Sequence, residues 1–500
     1  MKKILLFCIA VAFSVVSVNA QNTSIVTQVG FFNEAGVLQV GTNWSSVFQF
    51  GFDNDATVLQ GGFLNFSTVN QFGNENIATV RQIGLAQLAA ILQVGDENEA
   101  SITQVGALNF AGIVQFGDNH EAVIRQFGIF NFAAMLQFFG EDNVMTINQL
   151  GFGNLAVASQ FFGSRNTIGI TQVGAFNAAF ATQLGGSRNT ANIRQFGLFN
   201  RAATLQVDGY RNEANVTQLG IGNSALALQF DGNRNEANIL QIGGGNQALT
   251  VQDDGRSNDA NVTQLGLFNR AATVQVDGWR NEANVTQIGI ANNALALQFG
   301  GAGNESNITQ LGVANTAITT QSSSGFLSGG NEANVLQIGI ANQAFITQTG
   351  GSFSGLNTAN INQLGIFNWG IINQSGGGLS TATINQGGFL NLGFISQTNQ
   401  VASTATINQL GIGNVGIILQ PLLGGDNDAT INQLGLGNFA LTVQLGAFNE
   451  ATTTQLGAFN VALTGQFGIG NTANTWQFGV GQFSAIGQFG NNNTANVVQF

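Results

Sequence analysis

The sequence has little of what an enzyme or a metalloprotein uses. Its 500 residues contain one cysteine, one histidine, two lysines and one proline, and only 8% of them are charged. The cysteine, Cys8, lies in an N-terminal apolar segment, so the rest of the chain has no thiol for a disulfide, a metal or a nucleophile. We therefore expect a protein that is not an enzyme and that has no catalytic residues, no metal site and no cofactor.

The N-terminal segment is typical of a secretory signal. Lys2 and Lys3 precede an apolar run over residues 4–18, and residues 18–20 (Val-Asn-Ala) form a cleavage site of small residues. The run is too short and too close to the terminus to favour a membrane span. We predict a signal peptide over residues 1–20 and a secreted protein that reaches the extracellular space or the cell surface.

The charge balance excludes several partners. After the signal, eleven arginines face 25 acidic residues, which gives a net charge of −14. A negative net charge argues against nucleic acid and anionic lipid as partners. A solvated disordered chain would carry more charge and proline, and no charged run or Pro/Ser-rich linker divides the sequence. Residues 21–500 are therefore predicted to form a single array.

What the sequence has instead is a repeat built on glutamine. Forty-two glutamines, from Gln28 to Gln499, follow one another at intervals that are nearly all 11 or 12 residues. Four residues before each glutamine lies mostly alanine, and six residues before it lies asparagine in 37 of the 42 cases. Because side chains alternate with period two along a strand, Asn, Ala and Gln share one face. The exceptions at the asparagine position are Gln87, His120, Ser380, Ser403 and Gln482.

Two kinds of half-repeat alternate. After the first kind, which we call the A strand, glycine lies two residues past the glutamine, and the next glutamine follows after 11 residues, as from Gln218 to Gln229. After the second kind, the B strand, the interval is often 12 or more, and Asp208 or Asp231 replaces that glycine. This alternation predicts a tight turn after each A strand and a loose turn after each B strand. One A strand and one B strand make one coil, and about 21 coils follow one another.

A strand–turn–strand coil cannot bury its apolar face alone, so we predict that the coils stack into an all-β solenoid, a cross-β stack. A buried carboxamide without a partner costs a few kcal/mol, and stacking removes that cost by placing Asn on Asn and Gln on Gln. At about 4.8 Å per coil the stack would be roughly 100 Å long, and its bare edges would be templates for another chain. The ladder and turn residues that we expect to carry assembly are Asn212, Gln218, Gly220, Asn223, Ala225, Gln229, Asn235, Gln241, Asn281, Gln287, Gly289, Asn292, Gln298, Gln488 and Gln499.

The two outward faces differ in polarity. On B strands the outward residues are apolar, as in Leu226, Leu228 and Phe230, and we predict lateral bundling through this B face. On A strands they are more polar, as in Asn215 and Thr217. The alternative function is therefore a monomeric solenoid that binds ice or a glycan through its regular Thr/Asn face. The absence of a recognisable cap counts against that alternative.

The remaining titratable residues have simpler interpretations than catalysis. His120 occupies an asparagine position, so we interpret it as a substitution in the ladder rather than as a metal ligand or a base. Carboxylates recur just after the asparagine position and would form a column. Calcium binding or the acidic cleft of a polysaccharide lyase is conceivable there, but one carboxylate per coil does not surround a cation. We favour charge balance with nearby arginines and a gatekeeper role that slows self-association. The column consists of Glu213, Glu236, Asp259, Glu282, Glu305 and Glu332.

The repeat resembles the curlin repeat of the curli family, whose members are subunits of bacterial extracellular amyloid fibres. The similarity covers essentially all of residues 22–500. It implies a subunit that is secreted unfolded and assembles with itself into adhesive fibres of a biofilm matrix, with a nucleator subunit and outer-membrane secretion machinery as partners. The similarity leaves open whether this chain is the main subunit or the nucleator. The residues that match the motif are Asn212, Gln218, Gly220, Asn223, Ala225 and Gln229, and again Asn281, Gln287, Gly289, Asn292, Ala294 and Gln298.

Overall fold

The structure, a computed structural model, describes residues 22–323, 330–350, 355–421 and 424–500. The predicted signal peptide over residues 1–20 lies outside the described residues. Strands and bridges make up 79% of the described residues, and none of the described residues is helical. The described part accordingly offers no helix that could span a membrane. The predicted fold class, an all-β solenoid of stacked strand–turn–strand coils, is confirmed.

The chain divides into two units, Met1–Val157 and Ala158–Phe500, and each is a stack of coils. The strands of the first unit are β1 (Asn22–Phe31), β2 (Glu34–Phe52), β3 (Asp55–Asn74), β4 (Ile77–Leu85), β5 (Leu88–Val94), β6 (Glu99–Ala107), β7 (Phe110–Asp118), β8 (Glu121–Ile129), β9 (Phe132–Glu141), β10 (Val144–Phe152) and the start of β11 (Leu155–Phe161). The second unit begins within β11 and continues with β12 (Thr167–Ala175), β13 (Ala178–Leu184), β14 (Thr190–Leu198), β15 (Arg201–Val207), β16 (Glu213–Ile221), β17 (Ser224–Phe230), β18 (Glu236–Gly244), β19 (Gln247–Asp253), β20 (Asp259–Leu267), β21 (Arg270–Val276), β22 (Glu282–Ile290), β23 (Asn293–Phe299), β24 (Glu305–Val313), β25 (Thr316–Ser323), β26 (Glu332–Ile340), β27 (Gln343–Gly350), β28 (Thr358–Ile366), β29 (Trp369–Ser375), β30 (Thr381–Phe389), β31 (Leu392–Thr398), β32 (Gln400–Val401), β33 (Thr404–Ile412), β34 (Val415–Gln420), β35 (Gly424–Gly425), β36 (Asp428–Leu436), β37 (Phe439–Ala447), β38 (Glu450–Ala458), β39 (Val461–Ile469), β40 (Thr472–Val480), β41 (Phe483–Asn491) and β42 (Thr494–Gln499).

Pairing within each unit is parallel and joins equivalent residues of successive coils. The A strands β16 and β18 pair so that Gln218 lies opposite Gln241. The B strands β17 and β19 pair so that Gln229 lies opposite Gln252. Since a shift of one residue would turn every buried side chain outward, the alternation of buried and exposed residues fixes this register.

The core is a thin layer between the A and B strands. Val216 of β16 and Ala225 and Ala227 of β17 are all buried. Where a B strand has the larger Ile395 in place of Ala227, Gly393 replaces the alanine two residues earlier. A Cβ atom at Gly393 would lie 2.8 Å from Cγ2 of Ile384 across the core. In this coil the smaller residue makes room for the larger one, as close packing requires.

The tight turns depend on glycine at one position and tolerate other residues at the next. Gly220 has φ 126°, and a Cβ atom there would lie 1.9 Å from the carbonyl oxygen of Gly243 in the next coil. Two residues later, Gly222 has φ 67° and an added Cβ atom would contact nothing. Phe199 and Phe268 occupy the same turn position in other coils with φ 57°. That left-handed conformation costs a non-glycine residue about 1 kcal/mol or more.

The loose turns bring further residues into the left-handed region. Asp208 has φ 50°, Gly209 has φ 84° and Arg211 has φ 58°. The longer loose turns after β25 and β27 include residues 324–329 and 351–354, which lie outside the described residues. The loose turn between β29 and β30 is described throughout.

Candidate assembly site: amide ladders and terminal coils

The interior glutamine side chains are buried and form ladders along the A strands and along the B strands of each unit. On the A side, Nε2 of Gln218 donates to Oε1 of Gln241 at 2.8 Å and to the carbonyl oxygen of Arg201 at 2.8 Å. Oε1 of Gln218 in turn accepts from Nε2 of Gln195 at 2.9 Å. Both ends of the carboxamide are therefore paired, which offsets the cost of burying it.

The glutamine ladder on the B side adds a contact to the loose turn. Nε2 of Gln229 donates to Oε1 of Gln252 at 2.8 Å and to the carbonyl oxygens of Glu213 and Asn235, both at 2.9 Å. One glutamine thus joins its own coil, the neighbouring coil and the turn that leads to the next A strand. A short substitute such as alanine could make none of these three bonds.

The glutamine ladder has a single direction. In the first unit, Nε2 donates to the glutamine of the following coil from the pair Gln28–Gln49 at 2.7 Å to the pair Gln126–Gln149 at 2.8 Å. In the second unit, the same bond runs from the pair Gln160–Gln183 to the pair Gln477–Gln499, both at 2.8 Å. Aligned amide dipoles polarise one another and strengthen such a chain of bonds. The two ends of such a ladder are consequently different in chemistry.

The asparagines of the tight turns form a second ladder. The backbone N–H and Nδ2 of Asn223 both donate to Oδ1 of Asn200 at 3.1 Å. Nδ2 of Asn223 also donates to the carbonyl oxygen of Gly243 in the following coil, at 3.1 Å. Each asparagine therefore connects the coil before it with the coil after it.

Two asparagines of the loose turns, Asn235 and Asn258, make fewer bonds than the tight-turn asparagines. The backbone N–H of Asn235 donates to Oδ1 of Asn212 at 3.0 Å, but Nδ2 of Asn235 has no partner among the described residues. Asn258, one coil later, has the same two properties. Both side chains are at most 1% exposed. The loose-turn column therefore contains buried amides that are only half satisfied.

The other predicted assembly residues take equivalent positions two or three coils further on. Gln287 and Gln298 donate to the next glutamines at 2.8 and 2.9 Å, and Gly289 has φ 129°. The backbone N–H of Asn281 donates to Oδ1 of Asn258 at 3.0 Å and its Nδ2 donates to the carbonyl oxygen of Gly300 at 3.4 Å, whereas Asn292 has the tight-turn bonding pattern. Their geometry is that of ladder residues, and their part in assembly stays a prediction.

The terminal coils leave these ladders open. At the N-terminal edge, Oε1 of Gln28 and of Gln39 accepts no hydrogen bond from any described residue, although both amides donate to the following coil. At the C-terminal edge, Nε2 of Gln488 and of Gln499 donates to backbone carbonyls only. One edge therefore presents free acceptors, and the other presents amides without a glutamine acceptor.

Sequence reasoning missed a third ladder, on the outside of the A strands. Nδ2 of Asn215 donates to Oδ1 of Asn238 at 3.0 Å, three residues before each A-strand glutamine, and the same bond recurs from coil to coil. The repetition of asparagine at that position was the sequence pattern that indicated this ladder, and we interpreted it only as polarity of the outward face. The ladder consists of Asn192, Asn215, Asn238, Asn261, Asn284, Asn307, Asn334 and Asn360.

The carboxylate column lies beside this outer ladder. Oε1 of Glu213 accepts from Nδ2 of Asn215 at 2.7 Å, and Glu236 lies opposite Glu213 in the parallel pair. Burial raises the pKa of the Asp259 carboxyl, and the carboxylates of Glu236 and Glu282 raise it further. No group of three or more potential metal ligands occurs among the described residues. The carboxylates of this column repel one another, and hydrogen bonds from asparagine side chains stabilise some of them.

His120 interrupts the loose-turn asparagine column. It is 1% exposed, its backbone N–H donates to Oδ1 of Asn98 at 3.1 Å, and neither ring nitrogen has a partner in the described structure. Burial lowers the pKa of His120, although the Phe116 backbone and the carboxylates of Asp118 and Asp142 oppose that shift. The ring is therefore neutral at pH 7.

Comparison with known proteins identifies the repeat. A sequence model described as the curlin-associated repeat matches residues 51–84, 87–128, 140–174, 163–197, 209–239, 232–266, 278–312 and 402–435. Together these segments cover more than half of the chain. A search of curated proteins found no matching relative.

Proposed function

Because the chain belongs to the family of curlin-associated repeat proteins, we propose that it is a secreted structural subunit that assembles into curli-like extracellular amyloid fibres. Such fibres would serve cell adhesion and the biofilm matrix. A nucleator subunit and outer-membrane secretion machinery are proposed partners. The curlin repeat and the solenoid fold are structural rather than enzymatic.

The observation that carries this proposal is the complementarity of the two terminal edges. The C-terminal edge consists of the B strand β41 and the A strand β42, and the N-terminal edge consists of the B strand β1 and the first half of β2. Stacking one copy on another would let Gln488 and Gln499 donate to Gln28 and Gln39. This arrangement repeats the interior register and covers the open edges, which are templates for pairing.

Seeded assembly tests the proposal. Protein without residues 1–20 is diluted from denaturant to low micromolar concentration, with and without sonicated fibres, and followed by thioflavin fluorescence and electron microscopy. We expect a lag that seeds abolish, and fibres with a repeat near 4.7 Å along the axis. Monodisperse particles that ignore seeds would contradict the proposal and favour the ice- or glycan-binding alternative, for which the outer asparagine ladder provides a regular polar array.

The edge glutamines give a sharper test. We expect the pair of substitutions Gln488→Ala and Gln499→Ala to slow elongation from wild-type seeds about tenfold, a change of about 1.4 kcal/mol in the barrier. The matched interior pair, Gln218→Ala and Gln229→Ala, should affect elongation less, because neighbouring coils of the same molecule hold those strands. Equal effects of the two pairs on the elongation rate would contradict end-on stacking.

A further inference from the structure

Large apolar side chains are exposed along one edge of the second unit. In the coils from β14 to β23 they follow the A-strand glutamine by three or four residues, in the tight turns. They are 40–67% exposed. We call this surface the tight-turn edge, and it consists of Leu198, Phe199, Ile221, Leu267, Phe268 and Ile290.

The opposite edge of the same coils carries a net negative charge, because its acidic residues outnumber the loose-turn arginines Arg211, Arg234, Arg256 and Arg280. Asp208 and Asp231 lie in the loose turns, and Glu213 begins the A strand that follows. The tight turns of these coils contain no acidic residue, and the charged residues that flank them on the B strands are Arg201 and Arg270. Two copies of this acidic chain can therefore approach each other with least repulsion when their tight-turn edges face each other.

The aromatic residues of this edge are strained without being buried. Phe268 has φ 57° and is 67% exposed, whereas the neighbouring coil has Gly245 at the same turn position with φ 64°. Glycine adopts this conformation without strain, but phenylalanine does not. A strained side chain that its own chain leaves uncovered points to a contact with something else.

Resting on the proposed fibre function, we propose that the tight-turn edge is the lateral contact between two copies of this chain, each using the same edge. The six side chains expose on the order of 500 Å² over five coils, given about 200 Å² for an aromatic side chain. Further coils bring this toward the ~800 Å² per partner of a stable interface. A second copy also has the same spacing between coils, so that side chains stay in step along the contact.

This contact differs from the bundling through the B face that the sequence predicted. Leu226, Leu228, Leu295 and Leu297 of that face are half-buried and less exposed than the residues of the tight-turn edge, because equivalent residues of adjacent coils lie beside them. The B face thus becomes the matched control. It supplies four apolar residues from the same coils.

The experiment compares two quadruple variants of the chain without residues 1–20. The edge variant carries Phe199→Asn, Ile221→Thr, Phe268→Asn and Ile290→Thr, and the control carries threonine at the four B-face leucines. Fibres are grown from wild-type seeds, and elongation rate, bundle width in electron micrographs and sedimentation are measured. We expect the edge variant to elongate like wild type but to form single filaments, with bundles at least tenfold rarer, and the control to bundle normally.

Wild-type bundling in the edge variant, or loss of bundling in the control alone, would overturn the inference. If the wild type forms no fibres, the proposed function fails, and sedimentation of the soluble chain decides this contact separately. A wild-type dimer that the edge variant converts to monomer would support the contact, and a monomer in both would overturn it. The single variants Phe268→Asn and Phe268→Gly guard against misfolding. Their melting temperature should equal or exceed that of the wild type, because both residues tolerate the left-handed region.

Discussion

Asn223 in a tight turn and Asn235 in a loose turn lie at the same distance from their glutamines in the sequence but do not make the same bonds in the structure. Asn223 pairs through its backbone, its Nδ2 and its Oδ1, whereas Asn235 leaves its Nδ2 without a partner in the described structure. In loose turns one residue longer than the tight turn, the bond from Nδ2 to the glycine carbonyl of the next coil is long, 3.4 Å from Asn212 to Gly232, or absent, as at Asn235. The contribution of a repeated asparagine to stability therefore depends on the geometry of its turn. The following predictions test this difference, from the largest effect to the smallest.

The tight turn should tolerate no side chain at its first glycine. We expect Gly220→Ala to destabilise the surrounding coils by more than about 3 kcal/mol, because its Cβ atom would overlap the carbonyl of Gly243. The control in the same turn is Gly222→Ala, which has free space and should cost about 1 kcal/mol. Hydrogen exchange of the amides in β16–β18 measures both. Similar losses of protection would show that the close approach is not what requires glycine.

The two asparagine columns should respond differently to alanine. Asn223→Ala removes bonds to both adjacent coils and should cost about 2–3 kcal/mol. Asn235→Ala removes one acceptor, that of the Asn258 N–H, and should cost about 1 kcal/mol. Denaturant unfolding monitored by hydrogen exchange compares them. A larger loss of stability for Asn235→Ala than for Asn223→Ala would contradict this prediction.

His120 should make the loose-turn column sensitive to pH. Its pKa is lower in the folded chain than in the unfolded chain, so the unfolded state binds the proton more readily. Stability should therefore fall as the pH drops below about 6.5, the ordinary histidine value. His120→Asn should be more stable at pH 5 and show a smaller change between pH 7.5 and pH 5. Parallel stability curves for the two proteins over that range would exclude this role.

The smallest effect is expected where the loose-turn column already lacks asparagine. Ser380 donates from Oγ to the carbonyl oxygen of Gln400 at 3.2 Å and accepts from the backbone N–H of Ser403 at 3.3 Å. Ser380→Ala should cost about 0.5–1 kcal/mol, because both bonds are long. The change in the midpoint of denaturant unfolding measures it. A loss of stability as large as that of Asn223→Ala would mean that the stability does not depend on the geometry of the turn in which the residue lies.

The repeat predicted the fold because one rule governs every coil. A buried Gln218 needs another glutamine above it and another below it, so period two and the 11- or 12-residue interval determine strand, register and stacking. Exposure could not be predicted in the same way. The period assigns Leu226 and Phe268 to the outside alike, yet adjacent coils cover Leu226 far more than Phe268. The unpaired amide of Asn235 could not be predicted from the sequence either, because it depends on where a turn places one carbonyl group.

Equivalent pairing in every coil makes the coil a unit of length that can be added or removed. Deleting residues 212–234 would bring Asn235 onto Asn189, which already accepts from the backbone N–H of Asn212. The new neighbours would present the same donors, acceptors and spacing as the old ones. Gain or loss of a whole repeat through recombination would therefore leave both edges of the stack unchanged. The number of coils can therefore change in evolution without changing the residues through which molecules contact one another.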